Sequence, residues 1–423
     1  MSRSTVWHPF TQHAVAPLPV KVVAAEGAYL TAEDGHRIYD GIASWWVVTH
    51  GHRHPPIMEA IKRQANTLDQ VIFAGFTHAP AEETAEKLLQ LASCSFGNDE
   101  LAHVFFSDSG STAVEVGLKM ALGYWRNMGE PRTRIIALEH AYHGDTIGTM
   151  SAGARGIFNA AYEPLLFDVA RLPFPKSGQE ELVYAELERL LVEAPTAALI
   201  LEPLVLGAGG MLIYQPNALK QLHAIAKRHG ALFIADEVMT GFGRTGTVFA
   251  SEQAGITPDI LCVAKGITGG SIPLAATLAT RAIFDAHYST DRSKMFFHSS
   301  SYTANPLACA AASTNLDIWL TEPVLERIAS LARMQADRLA PFSADSRFTN
   351  VRQLGTITAL NLQARDAGYL AGIGPRLYEQ FLAEGILLRP LGNTVYVMPP
   401  YCTTAADLDR VYAAMAAAAN ALG

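Results

Sequence analysis

The chain has 423 residues, of which 49% are hydrophobic and 17% charged, enough apolar material for a large buried core and too much for a disordered chain. Its formal net charge of −8 argues against the clustered basic face that nucleic-acid binding needs. Cys94, Cys262, Cys309 and Cys402 stand far apart with no CxxC pair, which points to free thiols in the cytoplasm rather than a disulfide or zinc framework.

Residues 1–10 hold no charged stretch leading into an apolar run, so no signal peptide is expected. In chain order, residues 80–92 and 111–125 carry the period of amphipathic helices, and 134–139 is a strand candidate. Residues 197–201, 232–235 and 260–264 are further apolar strand candidates, with 216–229 helical between two of them. These runs are too short to cross a bilayer, and no membrane partner is expected. A long helix pattern starts at Pro306, followed by a strand at 357–362, a helix near 375–384 and a strand at 394–398. Alternating helices and buried strands predict an α/β fold with a mostly parallel central sheet in a large domain over 50–320. A smaller α+β domain is expected from 1–49 together with 321–423.

The polar residues of the central segment fall at strand ends. Strand 134–139 runs into His140-Ala141-Tyr142-His143-Gly144, 197–201 into Glu202, 232–235 into Asp236-Glu237 and 260–264 into Lys265. One such strand would simply be emerging into water; four together mark the carboxyl edge of a parallel sheet, where ligands bind. A lysine there becomes a nucleophile when burial lowers its pKa, and an imine with pyridoxal 5′-phosphate (PLP) uses such an amine at Lys265. Asp236 would pair with the pyridine nitrogen and keep it protonated. Gly110 and Ser111, in the run 107–112 that opens a helix, would offer backbone N–H groups to the phosphate. Tyr142 is the aromatic placed to stack on the ring.

Two patterns point elsewhere. Residues 241–246 match GxGxxG, the mark of a nucleotide-binding oxidoreductase, but no helix pattern follows and no acid ends a second strand about twenty residues on. Arg244 within it remains a candidate functional residue. His50, His52 and His54 form a histidine tract without a carboxylate or cysteine at ligand spacing. A solvated loop is expected there, and no metal is assigned.

The segments 142–146, 236–246 and 264–266 resemble those of the class III PLP-dependent aminotransferases of fold type I, over essentially the whole chain. The resemblance implies a homodimer with active sites at the subunit interface, and a phosphate contact from Ser300 and Ser301, the latter reaching across from the partner subunit. Within the class, residues 7–11, Trp45-Trp46, Arg389 and 396–401 are similar to the branch that moves the amine of S-adenosylmethionine onto 8-amino-7-oxononanoate in biotin synthesis. That likeness implies a substrate site of Phe10, Trp45, Tyr142, Lys265, Ser299 and Arg389, with the Arg389 guanidinium forked onto a carboxylate. The chain departs from the branch in having Phe10 where a tyrosine is usual and three serines, 299–301, after His298. A broader ω-aminotransferase using pyruvate or another keto acid is the competing reading.

Overall fold

The computed structural model describes residues 5–364 and 368–420. A seven-stranded sheet forms its centre, in the order Leu101–Ser107, Ala275–Thr280, Ile260–Val263, Leu232–Asp236, Thr196–Leu201, Arg134–Leu138, Ala170–Leu172. Its pairings are parallel except at Ala275–Thr280, which runs against both of its neighbours. Thr196–Leu201, Leu232–Asp236 and Ile260–Val263 are buried along their whole length. A strand covered on both faces needs no polar alternation, and so these segments are unbroken apolar runs.

Helices Gly110–Asn127, Glu180–Glu193 and Pro216–Arg228 connect the strands, and Gly110–Asn127 packs on the central strands themselves. Helix Pro306–Thr321 packs against Pro55–Ala65 and Ala79–Phe96. The single long helix expected from Pro306 is two helices, Pro306–Thr321 and Val324–Leu339. Pro323 divides them because it has no N–H to continue the ladder.

Three smaller sheets accompany the central one, one of them only the two-stranded pair Val205–Leu206 and Leu212–Ile213. Phe348–Leu354, Ile357–Leu362 and Thr394–Val397 form an antiparallel sheet. Val22–Glu26, Tyr29–Ala32 and Arg37–Asp40 form another, to which Ile386–Leu387 adds in parallel. The last pairing carries the chain from Leu387 straight to Arg389, next to the end of the strand at Asp40.

Candidate active site

A cavity of about 410 Å³ opens at the carboxyl edge of the central sheet. Gly110, Ser111, Tyr142, Asp236 and Lys265, singled out from four separate stretches of sequence, all line it. Lys265 follows the strand Ile260–Val263 at a positive φ of 49°, where its Cβ crowds the backbone, a strained conformation for any residue but glycine. Its amine stands 4.8 Å over the Trp46 ring. Burial draws the amine pKa down to about 8, against the opposing pull of the Asp236 and Glu202 carboxylates.

Asp236 is buried at the end of its own strand. One carboxylate oxygen accepts from the Val238 backbone N–H at 3.1 Å, and the other meets His143 Nδ1 at 2.7 Å. The His143 ring is itself buried, with Nε2 unpartnered among the described residues. Sequence reasoning gave His143 no role, although its place next to Tyr142 was a usable signal. Glu202 is also buried beneath the site and accepts from the backbone N–H groups of Tyr142 (2.9 Å) and Gly207 (3.0 Å). Burial pushes its carboxyl up to about 7. Burial likewise raises the Tyr142 phenol above its ordinary value.

Ser109 caps the helix Gly110–Asn127, and Gly110 and Ser111 form its first turn facing the cavity. Ser111 Oγ accepts from the Asp145 N–H at 3.1 Å. Gly144 allows that approach, since a Cβ there would lie 2.2 Å from Ser111 Oγ. Asp108, in the lining, accepts from the Ser300 hydroxyl. Ser299 and Ser301 are exposed and do not line this cavity within one chain; the Ser301 carbonyl instead accepts from the Gln70 side chain at 2.8 Å.

Phe10, Trp45 and Arg389 form a second group. The Phe10 and Trp45 rings lie 5.5 Å apart, and the Arg389 guanidinium stands 4.9 Å over Trp45. Arg389 Nη2 donates to the Phe10 carbonyl at 3.2 Å, leaving its other N–H groups without a partner among the described residues. Phe158, which the sequence reading missed, packs 6.1 Å from Phe10 and lines a 230 Å³ cavity shared with Tyr142.

The two groups meet at the tandem tryptophans. Ala43, Ser44, Trp45 and Trp46 have φ of 51°, 47°, 70° and 73°, one turn of left-handed helix without a glycine. Such a turn costs about 1–2 kcal/mol per residue, roughly 4–8 kcal/mol in all. It places Trp45 under Arg389 and Trp46 under Lys265. Arg244 is completely buried and donates to the carbonyls of Trp46 (3.3 Å), Val48 (2.8 Å) and Pro399 (2.9 Å). The glycine-rich loop around it leads into only a short 3₁₀ turn, Ala250–Ala254, and so lacks the helix start that a dinucleotide site requires. The histidine tract differs from the expected solvated loop. His50 is buried against Trp319 and Tyr401, and His52 bonds Asp40, because the tract follows the left-handed turn into the interior.

The class III aminotransferase family model matches residues 10–419. The chain belongs to the class III aminotransferases. It is 48% identical to the adenosylmethionine-8-amino-7-oxononanoate aminotransferase of Synechococcus elongatus, over 98% of each chain. It is 39% identical to the enzyme of that name from Geobacter sulfurreducens, over 96% of this chain and 94% of the relative. Among solved structures, the Methanocaldococcus jannaschii enzyme of the same name aligns with a TM-score of 0.92 at 32% identity, covering 99% of this chain and 97% of that one. An amine transaminase from an uncultivated Pseudomonas species, in a PLP-bound form, aligns with a TM-score of 0.93 at 33% identity over all of both chains. The protein is therefore a PLP-dependent transaminase, and the buried acid, the lysine and the helix start around one cavity fit that cofactor.

Proposed function

We propose that this aminotransferase moves the amino group of S-adenosylmethionine onto 8-amino-7-oxononanoate, giving 7,8-diaminononanoate for biotin synthesis. The observation that carries the reading is the Arg389 guanidinium, held over Trp45 and beside Phe10, one tryptophan away from Lys265. It gives a carboxylate-bearing, largely aliphatic substrate a charged anchor and an aromatic wall, at a distance from the reacting amine. The relatives of that name, matching end to end, support the same choice of substrates.

PLP, when bound, supplies the carbonyl carbon that accepts the amino group and a ring that withdraws electrons. Lys265 Nζ holds the cofactor and then carries a proton to and from the substrate α-carbon; a pKa near 8 suits both tasks. Asp236, fixed by His143 and Val238, keeps a proton on the ring nitrogen. Gly110 and Ser111 hold the phosphate, with Ser300 and the partner subunit's Ser301 closing the far side. Tyr142, anchored through its backbone by Glu202, covers the ring face. The working unit in this reading is a cytoplasmic homodimer, and the apolar exposure of Ile72, Phe76, Phe297 and Tyr302 suits a contact with a second copy. The large domain spans 50–320, and the pairing of Arg37–Asp40 with Ile386–Leu387 favours grouping 1–49 with 321–423.

The similarity to an amine transaminase favours one alternative, a broader ω-aminotransferase with a keto-acid acceptor. A single experiment separates the two. Purified enzyme is mixed with S-adenosylmethionine, alanine or a simple amine, and loss of the lysine-bound cofactor absorbance is followed before each acceptor is added. Bleaching by S-adenosylmethionine, with diaminononanoate detected by mass spectrometry, is expected. Bleaching only by alanine or amines, with pyruvate restoring the band, overturns the biotin reading. Turnover retained by Lys265→Ala overturns the assignment of the lysine.

A further inference from the structure

The left-handed turn at residues 43–46 needs something to hold it, and a cluster behind the site does so. Asp40 ends the strand Arg37–Asp40 with no solvent exposure. A single oxygen of its carboxylate accepts both from Ser44 Oγ, inside the turn, at 2.8 Å and from His52 Nε2 at 2.9 Å. The other oxygen has no partner among the described residues. His52 is in turn tied through both backbone groups to Gly27, at 2.7 and 3.2 Å. Gly270, in the cavity wall, runs so close behind the exit of the turn that a Cβ on it would lie 2.6 Å from the Val47 backbone. Arg244 fixes the same exit through the carbonyls of Trp46 and Val48.

A buried carboxylate with one oxygen unbonded is a poor stabilising device, because desolvation consumes most of what its partners return. What this acid does supply is direction. We propose that Asp40 is a positioning residue: through Ser44, and backed by His52, it holds the left-handed turn that aims Trp45 at the Arg389 end of the site and Trp46 at Lys265. Two side chains one residue apart on a right-handed helix or a strand point in directions set by that element. The left-handed turn instead sends them to two ends of one active site. Asp40 acts through the turn and touches neither substrate nor cofactor. The substrate arm of the inference rests on the function proposed above; the turn itself does not.

The test uses full-length protein with Ser44→Ala, Ser44→Gly, Asp40→Ala and Asp40→Asn. The near-UV circular dichroism of the cofactor-free protein reports the tryptophan packing, and KM for the oxononanoate acceptor reports the anchor. Loss of one hydrogen bond to a charged acceptor predicts an acceptor KM about tenfold higher in Ser44→Ala, with kcat within about threefold and a weakened tryptophan signal. Ser44→Gly should share that KM while melting above Ser44→Ala, since glycine takes the left-handed φ without strain. Asp40→Asn keeps an acceptor for the Ser44 hydroxyl and should recover most of both readouts that Asp40→Ala loses. If Asp40→Ala fails to fold, Ser44→Ala decides alone, because it leaves the Asp40–His52 pair intact. Variants that melt early but keep the wild-type tryptophan signal and acceptor KM overturn the proposal. A wild-type enzyme that ignores the acceptor defeats the proposed function instead, and the dichroism comparison still decides the role of Asp40.

Discussion

His143 offers the sharpest test of how the site controls its cofactor. Its Nδ1 lies 2.7 Å from Asp236, and among the described residues the only other donor to that carboxylate is the Val238 N–H at 3.1 Å. In His143→Leu one oxygen of a buried acid loses the one donor it has among the described residues. A hydrogen bond to a charged group contributes about 1.5–3 kcal/mol, so the charged carboxylate is destabilised by that amount, a factor of roughly 10 to 150. In the site assignment proposed above, the loss falls on the pairing of Asp236 with the ring nitrogen, which would serve both cofactor binding and electron withdrawal. PLP affinity, read by titrating apoprotein at the absorbance of the lysine-bound form, and kcat with saturating substrates should therefore both fall. The combined loss should approach the upper part of that range. His143→Gln retains an N–H donor and should recover part of it. A His143→Leu enzyme whose PLP affinity and kcat both stay within twofold of wild type refutes the reasoning.

With Lys265 as the proposed attachment point, capture of PLP by apoprotein requires its neutral amine, whose pKa burial lowers to about 8. Its rate, followed by stopped-flow absorbance, should rise about tenfold per pH unit up to about pH 8 and then level off; a rise continuing past pH 10 contradicts the burial argument. Arg389→Lys keeps the charge and loses the fork, so acceptor KM should rise roughly tenfold to a hundredfold with little change in the donor half-reaction measured by single-turnover bleaching. Burial holds the His50 pKa at about 3, below the 6.5 of the unfolded chain, so the unfolded state takes up the proton first. Stability is then complete above about pH 6.5 and falls by about 1.4 kcal/mol per unit below it. His50→Leu should remove about 2 kcal/mol of the loss between pH 6.5 and 5, measured by urea unfolding at each pH.

Much of the cofactor side was legible because burial is a strong signal. Thr196–Leu201, Leu232–Asp236 and Ile260–Val263 are covered on both faces, so their sequences are apolar until the residue that enters the cavity. Leu101–Ser107 escaped notice because most of it is only partly buried and it carries His103, while Ala275–Thr280 mixes three alanines, strong helix formers, with two threonines, which favour strands. The clamps were illegible for a different reason. Arg244 bonds Trp46, Val48 and Pro399, partners some 150 to 200 positions away in the chain, and no local pattern encodes such a contact. Asp40 left a faint local trace, an acid closing a short strand just before Gly41, which a reading of strand ends could have extended to the N-terminal segment.

Several of the conformations that local rules disfavour lie at this site. Trp46, His140 and Lys265 take positive φ without being glycine and line the two cavities, and Ala43 to Trp45 share that conformation on the way into Trp46. The helices behind the sheet show no such cost: Gly110–Asn127 begins with a reciprocal Ser109–Thr112 cap and buries one apolar face. A chain selected only for stability would have relaxed the turn at 43–46 with a glycine, which is free of the left-handed penalty. Keeping tryptophan at two of those four positions is intelligible if both rings must be held still, one under the guanidinium and one under the amine. A strained turn clamped by buried polar groups holds them more firmly than an unstrained loop could. On this argument the energy stored in the turn is part of the catalyst, supplied by the large apolar core beneath it.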